Sequence, residues 1–110
     1  MNLQEQIKRI LKEIQEKIED FASTRKKGAE KIAKTAKEKG GLAMLTYEHF
    51  QVKLPYYQKA SEGKMDYKQA KKEFEKTYNK ISLNMSQTEF QREMGRLEVL
   101  GELLIRKKND

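Results

Sequence analysis

The sequence predicts an all-α protein, a small bundle of four to five helices in one domain. Three observations carry that reading. Apolar residues recur three and four positions apart over most of the chain, and no strand-like alternation runs beyond a few residues. Lys and Glu, both good helix formers, dominate the polar positions. Turn and cap signals then cut the pattern into segments at Gly40–Gly41, Pro55, Gly63, Asp66 and Ser86. With 110 residues and 36% apolar side chains the chain can fill one modest core and not two.

The first helix is predicted over residues 3–39. Leu3, Ile7, Ile10, Leu11, Ile14, Ile18, Phe21 and Ala22 fall on one stripe, and smaller residues, Ala29, Ile32, Ala33 and Ala36, continue it. Gly40 and Gly41 stop it, with Lys37 and Lys39 suiting the negative end of its dipole. An unbroken helix of this extent measures about 55 Å, longer than a compact domain of this size. Two alternatives follow. Either the helix breaks near 23–28, where Ser23, Thr24 and Gly28 flank a basic run, or it projects and needs a partner along its uncovered half.

The second segment is predicted over 46–61, with Thr46 as N-cap, Tyr47, Phe50, Val52 and Leu54 as its apolar positions, and a kink or break at Pro55. The aromatic group Tyr47, Phe50, Tyr56 and Tyr57 reads as core filling with hydroxyls at the rim. A third helix, 67–81, opens on a capping box of Asp66 and Gln69 and carries Tyr67, Ala70, Phe74, Tyr78 and Ile81 on one stripe. The last, 87–107, opens on Ser86 and Glu89, with Met85 and Phe90 at the staple positions. Its second half is apolar on more than one face, which predicts a helix central to the fold or lying in an oligomer interface. Leu97, Leu100, Gly101, Leu103, Leu104 and Ile105 are the candidates for that role. Gly95 and Gly101 lie inside this helix, where each costs about 1 kcal/mol relative to Ala, so they predict close approach of another helix.

Several function classes lose support at this point. The chain has no Cys, and His49 is the only His, so the usual zinc sites cannot be built and no catalytic triad order is visible. Adjacent Glu48 points about 100° away round a helix from His49 and cannot share a metal with it. Gly63 at the sixth position of a calcium loop would put Gln58, Ala60 and Gln69 where acidic ligands belong, so an EF-hand is rejected. Neither nucleotide-binding glycine pattern is present. No catalytic residue, metal or cofactor is predicted, and a small-molecule ligand is disfavoured. No apolar run approaches the ~18 residues of a membrane span, and the charged first twenty residues are unlike a secretory signal, which leads us to expect a cytoplasmic protein.

Charge supplies the remaining signal. The formal net charge is +7, and residues 21–80 hold 15 basic against 7 acidic groups while the two ends are nearly balanced. Arg25, Lys26, Lys27, Lys31 and Lys34 form a Lys-rich ridge, with 27, 31 and 34 on one helix face. Two readings result. The first is a small non-catalytic interaction or regulatory protein, a homodimer or a binder of another protein. The alternative is a nucleic-acid-binding protein that lays the ridge along phosphates, although a solvated Lys face is ordinary and Arg, the better base reader, is scarce.

Overall fold

In the computed structural model, which describes residues 2–82 and 84–109, α1 runs without interruption from Leu3 to Lys39. Asn2 Oδ1 accepts the Glu5 N–H at 2.9 Å and so satisfies one of the donors a helix start leaves unpaired. At the other end Gly40, with φ 67°, sends its N–H to Ala36 O at 3.1 Å. The break considered at 23–28 does not occur. Ala22, Ala29, Ala33 and Ala36 are buried, and their small side chains let α2 (Ala43–Gln51) and α3 (Leu54–Ser61) pack against α1 along this stretch. That packing outweighs the weak propensity of Ser23, Thr24 and Gly28.

The segment predicted as 46–61 begins earlier than its apparent cap. Ala43, Met44 and Leu45 already bond back to Gly40, Gly41 and Leu42 through i to i−3 contacts of 3.1 Å, so Thr46 is interior and Leu42 is the N-cap residue. The kink expected at Pro55 is a division into two helices. Pro55 sits in the first turn of α3, where no backbone N–H is required, and Val52–Lys53 form the turn before it.

Beyond Gly63, α4 (Tyr67–Lys80) is capped by Asp66, whose Oδ1 accepts the Lys68 and Gln69 N–H groups at 3.1 Å. It packs chiefly on α5 (Gln87–Asn109), which starts where Ser86 Oγ accepts the Glu89 N–H at 3.1 Å. Among the described residues there are five helices and no strand. Helix α5 touches each of the other four. Its Val99, Leu100 and Leu103 are fully buried with Ala22, Tyr57, Ala60 and Ala70.

The core covers only part of α1. Residues 2–13 are exposed without exception, Ile18 is the first buried position, and the molecule measures 59 × 30 × 18 Å. Its radius of gyration, 16.3 Å, exceeds the roughly 13 Å of a compact chain of this length. The helix projects. Among the described residues no helix is long and apolar enough to cross a membrane.

The two glycines within helices that carry opposite structural weight are Gly28 and Gly95. A Cβ on Gly28 would meet nothing within 4 Å. Gly28→Ala is therefore expected to raise stability by about 1 kcal/mol, the propensity difference for an open helical site. Urea unfolding measures it; a loss of stability would mean that the helix needs flexibility there.

Candidate functional site

Two features stand apart from routine packing. The first is the overhang of α1. Leu3 is 71% exposed, Ile7 48%, Ile10 54% and Leu11 60%, and together with Ile14 they form one apolar strip about 18 Å long. It continues the stripe that α1 buries farther along, at Ile18 and Ala22. The body begins where the loop at Gly63 comes down beside Gln15 and Glu19. Isolated exposed aliphatic residues are ordinary, whereas these four fall on one periodic strip of a projecting helix.

The second feature is a polar network that ties the α2–α3 turn to α5. Lys53 is only 3% exposed, and its Nζ donates to Glu98 Oε1 and lies 3.7 Å from Glu102 Oε1. Glu98 Oε2 is 3.1 Å from His49 Nε2, while Glu102 accepts the Tyr57 hydroxyl at 3.1 Å and approaches Arg25 Nε at 3.8 Å. The network borders a cavity of about 480 Å³ that Ala29, Ile32 and Phe50 also line, the Phe50 ring lying 4.9 Å from Lys53 Nζ. The Lys53 and Arg25 cations face the Glu98 and Glu102 carboxylates, and every member is engaged by another. That arrangement ties α1, the α2–α3 turn and α5 together. Among the described residues no three His, Asp or Glu side chains gather to hold a metal ion.

Burial pushes Glu98 upward, but the hydrogen bond and charge of Lys53, joined by His49, outweigh it and hold the carboxyl below its ordinary 4.5. Glu93 behaves alike: burial raises it, and Arg96 at 2.7 Å and Lys80 at 3.2 Å bring it below 4.5. A carboxylate whose native value is depressed contributes stability that is complete above the unfolded value and is lost as pH falls through the native one. Urea midpoints should therefore drop between about pH 5 and pH 3, and less steeply in Glu93→Gln and Glu98→Gln. An equal slope in these variants would remove the two pairs as the cause.

The structure distributes the residues singled out by sequence. Leu100 and Leu103 lie wholly inside the chain's own core, Leu97, Gly101 and Leu104 are half-buried, and of that group Ile105 alone is exposed. The apolar second half of α5 is thus spent mostly within one chain. On the basic ridge, Arg25 is drawn to Glu102 and the Phe21 ring, and Lys26 pairs with Glu30 at 3.4 Å. Lys27, Lys31 and Lys34 are exposed on the back of α1 with no ion pair among the described residues. Sequence reasoning missed Lys53, Glu98 and Glu102. The one available signal was Glu98 and Glu102 themselves, like charges at i and i+4, a pairing that a nearby cation relieves.

No protein-family model matches the chain, and no curated protein and no solved structure gives a match. The fold defines an all-α protein.

Proposed function

We propose that this is a small non-catalytic interaction protein that works by self-association through the projecting N-terminal third of α1. The observation that supports it is the strip Leu3, Ile7, Ile10 and Leu11, each about half exposed or more on a helix that extends past its own core. Fully burying one such side chain is worth about 1.5–3 kcal/mol. A row of them held in water by a folded helix is therefore a standing cost that association removes. The strip also accounts for the length of α1, since the first twelve residues contribute nothing to the monomer's core.

The test is the mass of the native chain and of Ile7→Glu/Ile10→Glu by light scattering across a concentration series. The native chain is expected to associate and the double variant to stay monomeric. Thermal unfolding of the variant's body should hold within about 0.5 kcal/mol, because neither side chain touches the core. A native chain that remains monomeric at high concentration overturns the reading.

A second reading has its own observation: Lys27, Lys31 and Lys34 form an exposed row on one face of α1, with no ion pair among the described residues. Such a row suits phosphate contacts, whose affinity falls steeply between about 50 and 200 mM salt. Reversing the three charges to Glu would abolish salt-sensitive binding to mixed DNA or RNA fragments; unchanged binding excludes the ridge as the contact.

A further inference from the structure

We infer that the overhang pairs with the same segment of a second copy, antiparallel and in a single register, Leu3 opposite Ile14 and Ile7 opposite Ile10. This rests on the self-association reading and adds its geometry. The first support is the spacing. Leu3, Ile7, Ile10 and Ile14 are separated by four, three and four residues, the intervals of a coiled-coil seam. That sequence of intervals is the same read from either end. An antiparallel copy centred between residues 8 and 9 therefore meets the strip layer for layer, with no seam residue left over.

The second support is where the strip ends. At the next seam positions stand Lys17 and then Phe21, whose ring is already covered by Arg25 and Arg106 at about 5 Å. A parallel pair would carry two helices side by side past Ile14. It would set Lys17 against its own copy and bring together two bodies that each hold 15 basic and 7 acidic groups over residues 21–80. Like charges facing each other across a helix pair are destabilising. In the antiparallel register Lys17 falls beyond the end of the other helix, and the two positive bodies lie at opposite ends of the seam.

The third support is where the body begins to cover α1. Residues 2–13 are exposed, Ile14 is the first partly covered position and Ile18 the first buried one, so the strip is open along its whole length only up to Ile14. In the inferred register the other copy's first helical residue, Leu3, arrives at that point. The flanks agree as well: Gln6 of one copy lies beside Glu13 of the other and Gln4 beside Leu11, so no like charges oppose across the seam. Lys8, Arg9 and Lys12 stay on the outer arc, and Arg9 pairs with Glu13 within its own chain at 3.6 Å. A seam of four layers is short and belongs at the weak end of specific interfaces, so the pair forms at high protein concentration.

The chain has no cysteine, so single thiols report the geometry directly. Leu3→Cys and Ile14→Cys are made separately, checked for native helicity by circular dichroism, and oxidised alone and as an equimolar mixture. The mixture is expected to yield a cross-linked heterodimer about tenfold more efficiently than either variant alone, since a disulfide cannot join Cα atoms more than about 7 Å apart. Self-cross-linking of Leu3→Cys equal to that of the mixture would mean a parallel pair and overturn the inference, with self-association left standing. No cross-link in any combination, together with a monomeric mass by light scattering at high concentration, would overturn both.

Discussion

Replacing Gly95 with Ala lowers the stability of the protein by about 3 kcal/mol, at the upper end of what overpacking costs, although helix propensity alone predicts a gain of about 1 kcal/mol. The added methyl would lie 2.7 Å from Val52 Cγ2 and 3.0 Å from the carbonyl carbon of His49, and closer still to that carbonyl's oxygen. The main obstacle is backbone inside α2, which cannot rotate away as a side chain can. Relief requires α2 to move off α5. That shift would pull apart the contacts spanning the same seam, Arg92 to Glu48 at 2.7 Å and His49 to Glu98 at 3.1 Å. Urea unfolding of Gly95→Ala beside Gly28→Ala tests the argument, because the same substitution in two helices is expected to act with opposite sign. A Gly95→Ala chain as stable as the parent would show that the α2–α5 approach is looser than the structure has it.

What could be read from sequence, and what could not, divides along physical lines. The period of α1, its end at Gly40, the cap at Asp66 and the cap at Ser86 depend on a few neighbouring residues, and these are visible in one dimension. Close approach at Gly95 could likewise be inferred, because a glycine inside a helix costs stability and needs a reason. The start of α2 could not. Thr46 has the chemistry of a cap, but Gly40 and Gly41 turn the chain tightly enough for the helix to begin three residues sooner. The fate of Leu97 to Ile105 was ambiguous for a different reason: an apolar face is the same in sequence whether its own chain or another covers it. Lys53 was hidden most completely. Lys and Glu occupy most outer helical positions here, so nothing in residue type marks one Lys as buried; only partners 45 and 49 positions away do so.

That burial leads to the second large effect. Neutralising both carboxylates, Glu98→Gln/Glu102→Gln, is expected to cost about 3–5 kcal/mol, the range for leaving one member of a buried ion pair without its partner. Gln retains a carbonyl oxygen that can accept from Lys53 and from the Tyr57 hydroxyl, so what is lost is charge and not shape. The cost falls on Lys53, whose ammonium stays nearly inaccessible to water, whereas Glu98 is half exposed and can be solvated when its partner goes. Lys53→Met alone should accordingly cost much less, about 1 kcal/mol, because Glu102 keeps Arg25 and Tyr57 nearby. Adding Lys53→Met to the double Gln variant should recover most of the lost stability, since no buried charge then remains unpaired. These three variants and the parent, compared by urea unfolding at pH 7, form a thermodynamic cycle that measures how far the cost of removing the carboxylates depends on Lys53 being present. If the double Gln variant loses under 1 kcal/mol, or Lys53→Met fails to rescue it, the network is not holding a buried charge, and the α2–α3 turn is held to α5 by apolar packing alone.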